Sequence, residues 1–402
     1  MATTDSIPDI TAPSVRSSAG LLVLLSDMPH EQFKDILAKL TVSFKTEDLI
    51  IAGPESLQTD NGSALRFVRA AATNGSWILT ASDFVNAYQL AVKNEAHGIL
   101  ILGPESDSLS SSALCGLASA VLLGSTDLAV PRYDLQPHAR LITSAILYPL
   151  TRALFASHVR LPQALDLGLS LRMAERLALA AHRFSTHNQN DELLWPVNEA
   201  AVAGFAVSQI EVGPRAQPQP IGNELNTVLP QVTGSLFADI DAKAAFWQRS
   251  RPLQTSADQL PSFAPTSQTP STEAAAEIVP MLQAFRLAYT NLQEIWQLVL
   301  PPSSLVGLKR ISTTDGAAFR MPDSLWVRIV YDFLLAHRLR TINRGHLLGA
   351  LIPLYLAWLA SHLNIISSGI DPELHIESLA AAFEADKTYL VSRWRWPDRF
   401  NP

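Results

Sequence analysis

The sequence predicts an α/β protein, with a mainly parallel, Rossmann-like sheet covered by helices on both faces and a helical C-terminal region after it. Three observations lead there. Leu21-Leu22-Val23-Leu24-Leu25 and the runs at 49–52 and 99–102 are apolar throughout rather than alternating, as strands covered on both faces require. Between them lie segments of helical spacing, such as Phe33, Ile36, Leu37 and Leu40, so strand and helix alternate as in a doubly wound sheet. After Val207-Ser208-Gln209-Ile210 the pattern is helical alone.

Taken in order, residues 1–18 read as a polar, flexible tail. Strands are predicted at 20–25, 48–52, 77–80, 98–102 and 127–130, with a last sheet strand at 207–210. Helices are predicted at 31–40 and 84–92, and a further one at 169–181. Residues 251–273 are rich in Pro, Ser, Thr and Gln, the composition of a linker or surface loop. Helices at 274–300, 323–339, 345–363 and 373–391 complete the chain; Met321-Pro322-Asp323 and Asp371-Pro372 supply helix starts. The expected units are thus 19–250 for the sheet domain and 274–402 for the helical one.

Composition narrows the function. At 402 residues, 48% apolar and 17% charged, the chain is long enough for two or three folded domains. A net charge of −7 argues against a nucleic-acid groove, which needs a basic surface. Cys115 is the only cysteine, so neither an intrachain disulfide nor a Cys-based zinc site is available. No basic-then-apolar leader is visible in the first twenty residues. The most apolar later stretch, 347–360, contains Pro353 and falls short of the roughly 20 residues of a membrane span. The expectation is a soluble, cytoplasmic protein. No Gly-rich phosphate motif follows a strand, which removes dehydrogenase and P-loop readings.

Two predicted strand ends carry one tetrapeptide: Gly53-Pro54-Glu55-Ser56 and Gly103-Pro104-Glu105-Ser106. Gly and Pro end strands in any α/β protein, but ligands of such sheets also bind at these ends.

The longest motif begins Tyr148-Pro149-Leu150-Thr151-Arg152-Ala153-Leu154-Phe155. It continues through Arg160-Leu161-Pro162-Gln163-Ala164-Leu165-Asp166-Leu167-Gly168-Leu169-Ser170 to Leu193-Leu194-Trp195. It resembles the nucleotide-sugar glycosyltransferases of the GT-A fold, in particular the glucosyl- and mannosylglycerate synthase-like group. That group usually reads Pro-x-Gly-Gly-Asp-x-Gly-x-Ser, then Asp-x-Trp. Here Asp166 is kept, Ala164 and Leu165 replace the glycines, and Leu193 stands at the second Asp. Pro131-Arg132-Tyr133, Gly204-Phe205, Leu229-Pro230-Gln231-Val232-Thr233-Gly234 and Lys387-Thr388-Tyr389-Leu390 extend the resemblance over roughly 21–394.

The resemblance implies transfer of a sugar from a nucleotide sugar to a small polar, glycerate-like acceptor. With site acids missing, it also admits a catalytically inactive relative, acting as a binding module or the partner of an active paralogue; in either case the chain could assemble as a homo-oligomer or with a paralogue. The family's Asp-x-Asp falls at Gly103-Pro104-Glu105, leaving Glu105 and Asp107 as weak ligands for Mg²⁺ or Mn²⁺; the bland alternative is a solvated acidic turn. Glu55 becomes a distant donor-binding substitute. The relatives' metal-binding His is absent from 212–217, where Arg215 could meet phosphate as a fixed cation. Asp166 either caps the helix after it or orients donor hydroxyls as the catalytic acid. His158 and Arg160 are acceptor-side candidates, or a solvated basic edge.

Overall fold

The computed structural model describes residues 20–57, 65–70, 78–134, 141–185, 193–215, 225–250, 272–314 and 316–396. The predicted tail and nearly all of the predicted linker lie outside the described residues.

Each all-apolar run forms a strand buried along its whole length: β1 (Leu21–Leu25), β2 (Leu49–Gly53) and β4 (Gly98–Leu102). With β3 (Arg66–Arg69), β5 (Leu128–Asp134), β6 (Leu167–Ser170) and β7 (Val207–Pro214), they make one seven-stranded sheet in the order β3-β2-β1-β4-β6-β5-β7. All pairings are parallel except those of β6, which runs antiparallel between β4 and β5.

The pleat divides the apolar side chains between two layers. Leu21, Val23, Leu25, Ile51 and Leu100 face α1 (His30–Thr41) and α3 (Ser111–Leu122). Leu22, Leu24, Ile50, Ile99 and Ile101 face α2 (Ala81–Lys93) and α5 (Leu171–Ser185). Gly168 in β6 permits the tight fit of α3: a Cβ there would stand 2.5 Å from the Leu117 carbonyl oxygen.

Several expectations are corrected. The strands ending near Ala52 and Leu102, expected to be neighbours in one mainly parallel sheet with their Gly-Pro-Glu-Ser turns at one edge, are separated by β1, although both C-terminal ends do share one edge. Ile78–Thr80 form no named strand; Thr80 makes an isolated bridge to Leu193 and a capping box with Asp83 that starts α2. Neither β3 nor β6 was expected. The stretch 274–300 is two helices, α9 (Thr272–Asn291) and α10 (Gln293–Val299), and 373–391 is likewise split into α14 (Pro372–Ala385) and α15 (Lys387–Arg395). An unexpected helix, α11 (Pro302–Ser312), starts with Pro302 in its first turn, where a missing N–H costs nothing.

The remaining helices are α4 (Tyr148–Phe155), α6 (Pro196–Ala203), α7 (Leu225–Ala242), α8 (Ala244–Trp247), α12 (Asp323–Leu339) and α13 (Arg344–Ser367). Their apolar contacts do not break at residue 250. One cluster joins Ala145–Phe155 residues and Leu229, Phe237 and Trp247 to Trp296, Trp326 and Trp358. The predicted apolar segment grows from 14 residues to the 24 of α13, long and apolar enough for a span by composition, yet 72% of its apolar window is buried in this core.

His337 sits in that core, 3% exposed, edge-on to Phe237 at 5.7 Å. Burial, then Arg344 and Arg340, depress its pKa to about 4, against about 6.5 in an unfolded chain. Its contribution is therefore complete above pH 6.5 and is lost as pH falls from there towards 4, where folded His337 also takes a proton. Urea unfolding at pH 7 and pH 4.5 is expected to show about 2–3 kcal/mol of acid destabilisation from this group. The acid loss should shrink by that amount in His337→Leu; an unchanged loss would remove His337 as its source.

Candidate functional site

Chain direction across the sheet reverses between β1 and β4: β1 leads to β2 and β3 on one side, and β4 begins the other. Open α/β sheets bind ligands outside the C-terminal strand ends at such a switch point. Here the crevice is bordered by Ser26-Asp27 after β1, Gly53-Pro54-Glu55 after β2 and Gly103-Pro104-Glu105 after β4. The two Gly-Pro-Glu-Ser turns thus flank the end of β1. The Ser26 amide donates to the Leu102 carbonyl at 3.3 Å, and Ser56 Oγ to Asp27 Oδ1 at 3.1 Å.

Asp166 lies beneath the β4 end of this crevice and is fully buried. Its Oδ1 accepts from the Gly103 amide at 3.0 Å and from Arg215 Nη2 at 3.2 Å. Its Oδ2 accepts from Tyr133 Oη at 2.5 Å and from Arg215 Nε at 2.8 Å. Four bonds fill the acceptor capacity of a carboxylate. Arg215 Nη2 also donates to the Pro104 carbonyl at 2.7 Å. Burial opposes the charge on Arg215, but the attraction of Asp166, and then of Tyr133 and Glu105, more than offsets it and raises its pKa.

This arrangement corrects the capping expectation for Asp166. Ser170 takes that role at α5, its Oγ accepting from the Met173 amide at 3.2 Å. Leu165 is 2% exposed, and a Cβ on Gly103 would stand 2.8 Å from the Leu165 Cβ. Leu193 is buried in the helical core; its carbonyl accepts from Ser235 Oγ, which in turn accepts from Trp195 Nε1 at 3.1 Å.

The other donor-side candidates stand on the rim. Glu105 is exposed and left-handed, with φ 60°, a conformation uncommon for a residue with a Cβ. Asp107 is half-buried, and its carbonyl accepts from Lys39 Nζ. Glu55 pairs with Arg69 at 2.5 Å, both side chains two-thirds exposed. Glu105, Asp166 and Arg215 are therefore brought together, whereas Glu55 belongs to the β2–β3 side. Among the described residues, no group of three or more His, Cys, Asp or Glu could hold a metal ion. Mg²⁺ is commonly held by one or two carboxylates together with substrate phosphates and waters; at this edge the carboxylates are Glu105 and Asp107.

The acceptor-side candidates lie elsewhere, between α4 and α14. Arg160 binds Glu373 through both carboxylate oxygens at 2.9 Å and Ser144 Oγ at 2.9 Å. Arg152, not expected as a site residue, pairs with Glu377 at 2.5 Å and Glu384 at 3.1 Å. Tyr148 Oη donates to Glu377 at 2.7 Å. His158 is half-buried, and burial followed by the Arg152 charge lowers its pKa. It lines a recess with Phe155, Phe205 and Gln209.

Sequence reasoning missed Tyr133, Arg152 and Asp27. A tyrosine closing the Pro131-Arg132-Tyr133 strand end was the one available signal.

No family model matches the chain, and no curated protein matches its sequence. Among solved structures, it is similar to glucosyl-3-phosphoglycerate synthase from Mycobacterium tuberculosis. The complex with phosphoglyceric acid is 14% identical, covering 55% of this chain and 79% of that one, with a TM-score of 0.35. The complex with Mn²⁺, UDP-glucose and glycerol 3-phosphate is 14% identical over 58% and 86%, at 0.37. The complex with Mg²⁺ and UDP is 15% identical over 55% and 79%, also at 0.37. At such scores the likeness carries no argument about this chain's chemistry.

Proposed function

We propose that this chain is a protein of glycosyltransferase type that takes a nucleotide sugar at the β1–β4 crevice as a binding module, alone or beside a partner subunit, without metal-driven sugar transfer. One observation carries the reading: the Asp166–Arg215 pair, with side chains 0% and 1% exposed. Sugar transfer leaves a diphosphate whose new charge must be met by an ion or a free cation. Arg215 is matched by Asp166, and the Glu105–Asp107 edge adds negative charge rather than relieving it. Arg160 and Arg152, the cations suited to an anionic acceptor, are likewise matched by Glu373, Glu377 and Glu384.

A second reading is metal-free transfer to a small polar, glycerate-like acceptor. It is favoured by the place of Arg215 at the tip of β4, bonded to the Pro104 carbonyl. For that chemistry, donor binding must draw Arg215 away from Asp166.

Incubation with UDP- and GDP-sugars plus glycerate or phosphoglycerate, in chelator and in Mn²⁺, separates the two readings. No glycosylated acceptor in either condition is the expected result. Turnover in chelator would establish the second reading, and turnover only in Mn²⁺ would contradict both.

A further inference from the structure

Away from the sheet crevice, a cleft of about 590 Å³ opens between α11 and the start of α12. That size suits a small-molecule site. Three arginines line it: Arg310 from the last turn of α11, Arg320 from the segment before α12, and Arg328 from the second turn of α12. Ser304, Thr314 and Ser324 add hydroxyls. Among the described lining residues there is no Asp or Glu.

The charges here are not consumed as they are in the crevice. Arg310 makes no side-chain ion pair or hydrogen bond among the described residues. Arg320 is held by carbonyl oxygens only, those of Ala317 and Phe319 at 2.8 Å and Asn364 at 3.2 Å, so it is positioned without being neutralised. Arg328 alone meets an acid, Asp386, at 3.2 Å, with both side chains partly exposed. Asp323, beside the cleft in sequence, is engaged on the far side by His375 and Ser378.

Two further features complete the site. Ser304 is 2% exposed, and its Oγ has no hydrogen-bond partner; a buried hydroxyl without a partner is costly unless a ligand or water meets it. The 17-residue α12 begins after Pro322 with no side-chain cap; its Leu325 and Trp326 amides donate to the Pro322 carbonyl at 3.0 and 3.1 Å, which leaves the Ser324 amide, on the cleft wall, to face an anion.

We propose that this cleft binds a small molecule carrying a phosphate or diphosphate group, the arginines gripping its oxygens and Ser304 donating from the cleft wall. Guanidinium groups match phosphate oxygens in bidentate geometry. The proposal shares no residue with the crevice reading and stands without it.

Calorimetric titration of the full chain with inorganic phosphate, pyrophosphate and glucose 6-phosphate, in 50 mM and 200 mM salt, tests it. Pyrophosphate is expected to bind more tightly than phosphate, and more weakly as salt rises. Arg310→Gln and Arg320→Gln should each weaken pyrophosphate binding at least tenfold, and Ser304→Ala about threefold. Arg249→Gln, which removes one exposed positive charge elsewhere, should leave it unchanged. Arg310 is exposed, so its variant remains informative if Arg320→Gln fails to fold. No binding of any probe at millimolar concentration, or binding equally tight in Arg310→Gln, would overturn the proposal.

Discussion

Asp166→Ala is expected to destabilise the fold by about 4–5 kcal/mol, because removing one member of a buried pair leaves the other charge uncompensated. The substitution strands three donors at once: the Arg215 guanidinium, the Tyr133 hydroxyl and the Gly103 amide. Arg215→Met should cost less, about 3 kcal/mol, because the remaining carboxylate keeps two hydrogen bonds. The double variant is expected near the Asp166→Ala value rather than at the sum, a coupling of about 3 kcal/mol in a double-mutant cycle. Chemical denaturation of the four proteins reads this directly. Additive losses would mean that the two side chains act independently, and the closed, internally neutralised site would then be wrong.

Arg152→Met is the second large effect. Arg152 is 9% exposed and faces Glu377 and Glu384, themselves 17% and 15% exposed. Its removal leaves two carboxylates in one half-dry site and should cost about 3–5 kcal/mol at pH 7.5. Like charges raise carboxylate pKa values, so protonation relieves the strain. The destabilisation relative to wild type should therefore shrink as pH falls towards 5, and adding Glu377→Gln should recover part of it at neutral pH. A loss independent of pH would point to missing arginine packing instead.

The strands legible in the sequence were those whose signal is local. Leu21–Leu25, Leu49–Gly53 and Gly98–Leu102 are apolar on both faces because two helical layers cover them, and composition alone records that. Arg66–Arg69 and Leu167–Ser170 span four residues each; the first mixes charge into an edge strand, and the second is held by pairing with β4 and β5 rather than by its own pattern. The helix breaks at Leu292 and Asp386 carry neither Gly nor Pro, so nothing local announces them.

Within the site, the resemblance singled out Asp166 as the acid kept between Ala164-Leu165 and Gly168. Its partner, 49 positions away, was visible only as a lone cation. Leu193, where the resemblance led to the expectation of an acid, is buried with Trp195 in the helical core.

Under the proposed function, the buried Asp166–Arg215 pair, rather than a divalent ion, supplies the charge at the β1–β4 crevice. Calorimetric titration of the folded chain with UDP-glucose and other nucleotide sugars, in chelator and in Mn²⁺, tests it most directly. Any affinity is predicted to agree within about twofold between the two conditions, as the proposed site gives a metal ion no part in binding. Binding at least tenfold tighter in Mn²⁺, abolished by Glu105→Ala with Asp107→Ala, would show a working metal site and overturn that reading of the crevice.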